Sequence, residues 1–263
     1  MQNLRHNETI DTLLNRRSIR AFSSEAIDED TVATLETVAQ RAACSQFLND
    51  WSAIKITDAS IKQKLSEIGN QTYIATAPLL YVFIIDQHRN AAIAQKKNGI
   101  DVDTSSDEFM LKTRYRFTQA QNDVILALHA METAAESLGL GCVILGSILN
   151  SRTQLIDILN LPEYTYPVLG LAIGKPAQNP ELKPRMSANM QIFENTYPAD
   201  DAELLENLAD FDARVHQYYD LRNASRPVDA FSAQIVALAT DSSAKKHETE
   251  DVEQVARQGF NVA

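Results

Sequence analysis

The stretch from Asn122 to Ser147 constrains the fold more than any other part of the chain. Its first part is apolar on nearly every face, and a helix of that kind belongs inside a large domain. Gly139 predicts a left-handed end to this helix. The short apolar run that follows, closed by Gly146, predicts a buried strand with tight turns on both sides. A ligand can approach the backbone closely at Gly146 and Ser147, but a core helix packed on a core strand explains the same stretch without any ligand.

Two acidic residues interrupt the apolar surface of this helix. Glu132 and Glu136 are four positions apart, so they share one stripe of the helix. We expect this stripe to reach the rim of the protein or a partner.

The composition bounds the class of protein. With 263 residues, of which 44% are hydrophobic, the chain is long enough for one large domain or two small ones with a real core. The formal net charge of -11 gives a nucleic-acid backbone no general electrostatic reason to bind. Nucleic acid is therefore not an expected partner.

The sequence also argues against a membrane protein and a metal site. No apolar run approaches the roughly 20 residues that cross a bilayer, and the N-terminus lacks the hydrophobic segment of a secretory signal, which indicates a cytoplasmic protein. The two cysteines, Cys44 and Cys142, have no metal-ligand spacing with the five histidines. We therefore expect neither a disulfide scaffold nor a bound metal.

Apolar periodicity predicts the remaining elements. Helices are expected within residues 8–15, 24–43, 61–68, 152–159, 202–221 and 251–258, and strands at 52–57, 79–85 and 168–174. Residues 86–106 are polar and predict an irregular surface excursion with the character of a lid. Because no repeat or linker divides the chain, we expect a single domain over 1–263 with a C-terminal helical extension over 200–263.

Three cations crowd the N-terminal segment of this acidic chain. Arg16, Arg17 and Arg20 surround Ser18, whose hydroxyl adds a donor. Guanidinium groups suit phosphate, so the cluster is explained by a bound anion. A solvated basic turn that pairs with surface carboxylates explains it equally well.

Two further loops carry groups suited to a ligand. Lys183 and Arg185 bracket Pro184 in a proline-stiffened loop, which suits either a phosphate site or an exposed charged loop. Gln46 and Asn49 carry donors and acceptors that match a heteroaromatic edge such as a flavin pyrimidine. They serve equally well to satisfy the backbone of their own loop.

Several separated stretches together resemble the nitroreductase family, and within it the NADPH-dependent FMN oxidoreductases. They are Arg16 to Phe22 (RRSIRAF), Cys44 to Asp58, Ser137 to Asn150, Leu161 to Pro176, the NPELKPR run that ends at Arg185, and the terminal RQGF from Arg257 to Phe260. These stretches run through almost the whole chain in the family's order. The resemblance implies an α+β fold with a central sheet flanked by helices, assembled as an intertwined homodimer with FMN at the subunit interface.

The resemblance also implies which residues bind the cofactors. The FMN-binding residues are Arg16, Arg17, Ser18 and Arg20 in the N-terminal motif; Cys44, Ser45, Gln46 and Asn49 in a loop contributed across the dimer; Gln71; Ile144, Leu145, Gly146 and Ser147 beside the ring; and Lys183 and Arg185 at the phosphate. Arg222 and Arg226 resemble the segment that meets the 2′-phosphate of NADPH. No side chain is expected to be catalytic, because FMN carries the chemistry.

Three positions depart from the family pattern. Arg16 stands where histidine is common, Cys44 where small hydroxyl residues are usual, and Ser147 where a second glycine is common. None of them removes a group that the chemistry requires. The thiol of Cys44 bears on the flavin potential and on sensitivity to oxidation.

The activity implied by the resemblance is a two-step electron transfer. NADPH delivers hydride to the flavin, nearby donors stabilise the negative charge that develops, and an acceptor then takes two electrons at the same face, which predicts ping-pong kinetics. Nitroaromatics, quinones and free flavin are the expected acceptors. Two alternatives stay open: an enzyme that is chiefly a flavin or azo/quinone reductase, and a non-catalytic FMN-binding module.

Overall fold

The computed structural model describes residues 4–96, 102–222 and 229–261. The chain forms two compact units, one made of Met1–Pro180 with Lys246–Ala263 and the other of Glu181–Lys245. The single domain expected from the sequence stays a prediction.

The first unit holds the sheet and most of the described helices. Its strands are β1 (Trp51–Lys55), β2 (Leu79–Asp86), β3 (Gly141–Leu145) and β4 (Thr165–Gly174). Its helices are α1 (Glu8–Leu14), α2 (Glu29–Ala39), α3 (Ala59–Gly69), α4 (Tyr73–Thr76), α5 (Gln87–Lys96), α6 (Arg114–Ser137) and α7 (Arg152–Ile158). Single 3-10 turns occupy Ser45–Phe47, Met110–Lys112 and Ser147–Ser151.

The four strands form one antiparallel sheet with the order β1-β2-β4-β3. Leu79 of β2 lies opposite Ile173 of β4, and Gly141 of β3 lies opposite Gly174 of β4. Both central strands are buried along nearly their whole length, as their continuous apolar runs predicted. An antiparallel sheet with helices packed around it confirms the α+β class.

Helix α6 packs on the sheet along one side only. It contacts β2 and β4, and Ala127, Leu128 and Met131 are almost completely buried. Ile125 and Leu126, by contrast, are 42% and 47% exposed. The expectation of a helix buried on nearly every face is therefore wrong for this side. Gly139 ends the helix region with φ +78, which confirms the predicted left-handed turn.

The acidic stripe of α6 does not behave as the sequence predicted. Glu132 is only 1% exposed, so it lies inside the protein and does not reach the rim. Glu136, one turn later, is half-buried. A buried carboxylate needs a charged or hydrogen-bonding partner, and that partner is far away in the sequence.

The segment expected to be an irregular excursion begins as a helix. Helix α5 occupies Gln87–Lys96, and Gln87 and Ala91 are buried beneath it. Residues 97–101 lie outside the described part of the chain, and irregular turns follow from residue 102. The polar composition concealed α5, because only two of its side chains are buried and they lie one turn apart.

The second unit begins with an extended segment and continues as short helices. Its elements are a 3-10 turn at Ala188–Met190 and the helices α8 (Asp201–Leu204), α9 (Leu208–Arg222) and α10 (Phe231–Thr240), followed by the start of α11 (Ala244–Arg257). The rings of Phe211 and Phe231 join α9 to α10, with their centroids 5.1 Å apart. These helices correspond to the predicted C-terminal helical extension.

No described helix combines the length and the apolar character needed to cross a bilayer.

Candidate functional site

The N-terminal cationic segment, Arg16–Arg20, runs along the outer edge of β3. The backbone N–H of Ile19 donates to the carbonyl of Cys142 over 2.8 Å, and Ser18 forms a parallel bridge with Cys142. Gly141 permits this close approach, since a Cβ atom there would lie 2.7 Å from the Ile19 side chain. The backbone of the segment is thus fixed as an added edge of the sheet.

Arg16 is the partner of the buried Glu132. Its Nε and Nη2 atoms donate to Oε1 of Glu132 over 2.9 and 2.6 Å. The other carboxylate oxygen lies 3.3 Å from Nδ1 of His129. Burial, and then the charge of Glu132, raises the pKa of Glu136 to about 7. In this arrangement Arg16 anchors the cationic segment to α6, and its predicted contact with the cofactor stays a prediction.

Arg17 offers a donor that the described chain leaves unused. Its Nη1 donates to Oδ1 of Asn179 over 3.1 Å, whereas its Nε is buried and has no hydrogen-bond partner. Arg17 lines a cleft of about 210 Å³ together with Asn15, Gln178 and Asn179. A buried N–H without an acceptor is unfavourable, so Arg17 keeps an unused donor in a side chain that lines this cleft.

Arg20 and Gln71 are brought together although they are far apart in the sequence. Both lie beside Tyr73: its hydroxyl donates to Oε1 of Gln71, and the Arg20 guanidinium is close enough to act on the pKa of the same hydroxyl. Burial raises the pKa of Tyr73, and the nearby Arg20 opposes that rise. Tyr73 was not predicted as a site residue, because an isolated tyrosine at the start of a short helix carries no signal of its own.

The turn after β3 lies beside the end of α3. The amide of Asn150 donates to the carbonyl of Ile68 over 3.1 Å, and a Cβ atom on Gly69 would lie 3.1 Å from Oγ of Ser147. Gly146 is exposed, with open space where its Cβ would be. Oγ of Ser147 is buried and has no partner. A ligand therefore finds accessible backbone at Gly146 next to an unused hydroxyl.

The two residues before this turn present less to a ligand. Leu145 is 1% exposed and belongs to the core, while Ile144 is partly buried against it. Their side chains lie in β3, so only Ile144 has side-chain surface available. Their assignment to the ring environment stays a prediction.

The Cys44–Asp50 loop has an unusual backbone. Gln46, Phe47 and Asn49 have φ values of 53, 59 and 49. Such conformations cost a non-glycine residue roughly 1–2 kcal/mol, and they concentrate at functional sites. The Phe47 side chain is 85% exposed. The loop thus presents an aromatic ring on a strained backbone.

The polar side chains of this loop bond to their surroundings. The amide of Asn49 donates to the Phe47 carbonyl over 3.0 Å, and its Oδ1 lies 3.7 Å from the Cys44 thiol. Oε1 of Gln46 accepts from Nη1 of Arg116 over 2.7 Å. For Asn49 this supports the alternative that it satisfies its own loop.

Two buried carboxyl groups hold the ends of this loop. Asp123 of α6 accepts from both the backbone N–H and the hydroxyl of Ser45, and Asp50 ends the loop. Asp50 and Asp123 are 0% and 1% exposed. Burial, and then the neighbouring Asp123, raises the pKa of Asp50 to about 7. The sequence did not single out these two residues, since they are far apart along the chain.

Comparison with known sequences identifies the family. The profile of the Nitroreductase family matches residues 13–175, and that of the Nitroreductase family, C-terminal domain, matches residues 183–263. The chain belongs to the nitroreductase family.

Characterised relatives within the family match nearly the whole chain. An FMN reductase (NADPH) of Bacillus subtilis is 31% identical over 256 residues, which cover 97% of this chain and 99% of the relative. An NADPH-dependent oxidoreductase of Staphylococcus aureus strain USA300 is 33% identical over 220 residues, which cover 83% of this chain and 85% of the relative.

Solved structures of nitroreductases have the same fold. The NfrA1 nitroreductase of B. subtilis aligns with a TM-score of 0.87 at 30% identity, covering 97% of this chain and 100% of its own. The NADPH:FMN oxidoreductase of Vibrio harveyi, complexed with NAD+, aligns with a TM-score of 0.81 at 28% identity, covering 97% of this chain and 99% of its own.

The remaining predicted site residues of this nitroreductase lie in its second unit. Lys183 and Arg185 are exposed on its opening extended segment, where the C-terminal family match begins. Arg222 is the last residue of α9, and Arg226 lies outside the described residues. The contribution of these four cations to a cofactor site stays a prediction.

Proposed function

We propose that this member of the nitroreductase family is an oxidoreductase that binds FMN and takes reducing equivalents from NADPH. One observation carries the proposal: Tyr73 donates to Gln71 and lies beside Arg20, so that the two predicted site residues meet at one side chain. This contact unites the cationic segment with the turn that adjoins Gly146 and Ser147. The related proteins named FMN reductase (NADPH) and NADPH:FMN oxidoreductase support the choice of cofactor and donor.

The chemistry of these residues fits FMN. The buried Arg17 Nε and Ser147 Oγ lack partners, and both are donors that can meet a phosphate or a ring carbonyl. Arg17, Ser18, Arg20 and Gln71 would hold the polar parts of the cofactor. Lys183 and Arg185, in the second unit, are assigned to the phosphate by the resemblance to the family.

When bound, FMN supplies the capacity to accept hydride and to pass on two electrons. The protein's contribution is geometry and charge. With FMN bound, the Arg20 guanidinium and the Gln71 amide would supply positive charge and hydrogen-bond donors to it, and the Tyr73 hydroxyl holds Gln71 in place. The open space at Gly146 lets a flat ring approach the backbone.

We propose that the active form is an intertwined homodimer with FMN at the subunit interface. Its support is the exposed apolar side of α6, where Ile125 and Leu126 lie uncovered. A groove of about 680 Å³ between α2 and α6 adds apolar lining from Val38, Ala42 and Ala134. A monomer gains nothing from leaving this surface in water.

The finer features of the reaction belong to the same proposal. They are ping-pong kinetics, NADPH recognition by Arg222 and Arg226, and nitroaromatics, quinones or free flavin as acceptors. A cytoplasmic location follows from the donor, which is supplied there. An enzyme whose chief acceptor is free flavin or an azo or quinone compound fits the same site.

FMN titration of the apoprotein tests the proposed site. Arg20→Ala should weaken FMN binding by about tenfold to a hundredfold, since it removes charge-assisted hydrogen bonds. Arg41→Ala, an exposed arginine outside the site, should leave the affinity unchanged. An Arg20→Ala variant that binds FMN as tightly as wild type would refute this assignment, and so would equal losses of affinity in the two variants.

A further inference from the structure

Two carboxyl groups meet under the Cys44–Asp50 loop, out of reach of water. Asp50 is the last residue of the loop, and Asp123 projects from α6. The exposed fractions of the two residues are 0% and 1%. Carboxylates are rarely buried side by side, because neither can neutralise the other.

The oxygens of Asp50 show what joins the pair. Oδ2 accepts from Nε2 of Gln87 over 3.0 Å. Oδ1 is buried and has no hydrogen-bond partner, and the neighbouring carboxyl of Asp123 is, after burial, the next cause of the raised pKa of Asp50. Two carboxyl groups form a hydrogen bond only when one of them carries a proton.

Asp123 extends this contact to the other end of the loop. Its oxygens accept from the Ser45 backbone N–H over 3.0 and 2.8 Å, and Oδ1 also accepts from the Ser45 hydroxyl over 3.1 Å. Asp123 therefore fixes the start of the loop at Ser45, and Asp50 lies at its end. The left-handed residues Gln46, Phe47 and Asn49 lie between these two fixed points.

The other charged groups around the loop have partners of their own. Arg89 donates to the carbonyls of Asn49 and Trp51, and it pairs with Asp86 over 3.3 Å. Arg116 donates to Gln46. Because these arginines bind to the rim of the loop, neither of them neutralises the Asp50 and Asp123 pair, and a proton shared by the two carboxyls would balance its charge.

We propose that Asp50 and Asp123 are positioning residues, which share one proton and thereby hold the Cys44–Asp50 loop in the left-handed conformation that faces the cofactor. The flavin-facing role of the loop rests on the proposed function. The shared proton does not, since it rests on the burial of both carboxyls, on the unpartnered Oδ1 of Asp50 and on the proximity of Asp123.

The proton makes the loop sensitive to pH in a defined direction. When the loop opens, Asp50 meets water and returns to its ordinary acidity, whereas in the closed loop its pKa is about 7. The stabilisation of the closed loop is thus complete below the ordinary pKa of Asp50. It declines as the pH rises toward 7 and stays low above that value.

Hydrogen exchange of the FMN-loaded protein tests the shared proton. Protection of the amides of residues 44–49, corrected for intrinsic exchange, should fall about tenfold per pH unit from about pH 5 to about pH 7 and then level off. Asp50→Asn should abolish this slope, because its amide donates to Asp123 without titrating. Glu163→Gln, an exposed control, should keep the wild-type slope. A flat wild-type profile, or the same slope in Asp50→Asn, would overturn the shared proton.

FMN affinity tests the positioning role separately. At pH 5, where Asp50 of wild type keeps its proton, Asp50→Asn should bind FMN within about twofold of wild type, while Asp50→Leu, which cannot bond to Asp123, should lose about tenfold. Unchanged affinity in Asp50→Leu, together with lost amide protection, would refute the role of the loop in positioning. If Asp50→Leu does not fold, the FMN affinities of Asp50→Asn and wild type are compared at pH 8, where wild type should bind more weakly. Tighter binding by Asp50→Asn supports the positioning role, and equal affinities of the two proteins refute it. A protein that binds no FMN would instead defeat the proposed function, and hydrogen exchange of the same protein without FMN would still show whether Asp50 and Asp123 share a proton.

Discussion

The cationic segment Arg16–Arg20 and the Cys44–Asp50 loop are both candidate cofactor contacts, yet they are held in opposite ways. The first is an added sheet edge, paired through its backbone to Cys142 and anchored by the ion pair of Arg16 with Glu132. The second has strained backbone, and side chains hold its ends. The backbone bonds of an edge strand and the charge of an arginine do not change near neutral pH, although Glu136 beside this anchor has a pKa of about 7, whereas two carboxyl groups that share a proton lose it there. The difference separates a permanent part of the site from an adjustable one.

The largest predicted effect concerns pH and the loop. The Asp50 carboxyl has its pKa raised from 3.8 to about 7 by burial and by Asp123, so it binds its proton more tightly in the folded chain. This stability is complete below the ordinary pKa and is lost as the pH rises to about 7. The free energy of unfolding of wild type relative to Asp50→Asn should therefore fall by up to ~4 kcal/mol across that window.

Urea unfolding at a series of pH values measures this difference. The pKa of Glu136 is also about 7, so its contribution to the free energy of unfolding declines over the same pH range in both proteins. This contribution cancels when the two proteins are compared. If the free energies of unfolding of wild type and Asp50→Asn change in parallel with pH, the Cys44–Asp50 loop is no more sensitive to pH than the cationic segment, and the contrast between the two regions is wrong.

The anchor of the cationic segment gives the next largest effect. Glu132→Ala leaves the Arg16 side chain, which is 23% exposed, without its partner, and should cost ~3 kcal/mol of unfolding free energy. Glu25→Ala removes a pair with Lys175 in which both side chains are exposed, and should cost less than ~1 kcal/mol. Equal losses in chemical denaturation would show that Arg16 is not an anchor.

Gly141 begins β3 and Gly146 follows its last residue, and substitutions at the two positions distinguish an effect on packing from an effect on ligand access. Gly141→Ala places a methyl group 2.7 Å from Ile19 and should cost ~1–3 kcal/mol by displacing the cationic segment. Gly146→Ala meets no atom within 4 Å, so its unfolding free energy should change by less than ~0.5 kcal/mol. FMN binding should weaken in both. An unchanged FMN affinity in Gly146→Ala would show that the flavin does not bind at this turn.

The smallest effect concerns the link between Arg20 and Gln71. Tyr73→Phe removes only the hydroxyl that donates to Gln71 and lies beside Arg20, and should weaken FMN binding by a few-fold, the equivalent of ~1 kcal/mol. Tyr115→Phe, on an exposed tyrosine of α6, is the matched control and should not change the affinity. A Tyr73→Phe titration curve that overlays wild type would mean that Arg20 and Gln71 act independently.

Local patterns in the sequence were sufficient for the sheet and the core helix. The runs at 79–85 and 168–174 are apolar without interruption because both strands are central, and the glycine at 139 marks the turn between α6 and β3. Helix α5 escaped prediction, since its surface is polar and its buried residues are few.

Long-range pairs were beyond the reach of these patterns. Glu132 was expected at the surface because its spacing to Glu136 indicates a shared stripe, and only the arrival of Arg16 at that point explains its burial. The motif residues Arg20 and Gln71 were predicted separately, but their contact through Tyr73 depends on the fold. Asp50 and Asp123 likewise become neighbours only in the folded chain, where α6 packs against the loop.

The central claim is that the chain is an FMN oxidoreductase driven by NADPH. Anaerobic addition of one equivalent of NADPH to the purified, FMN-loaded protein, followed by absorption spectroscopy, tests it most directly. The account predicts that the yellow flavin band is bleached at once and returns when an oxidised acceptor is added. A flavin band that persists in the presence of NADPH would contradict the account and leave a protein that only binds FMN.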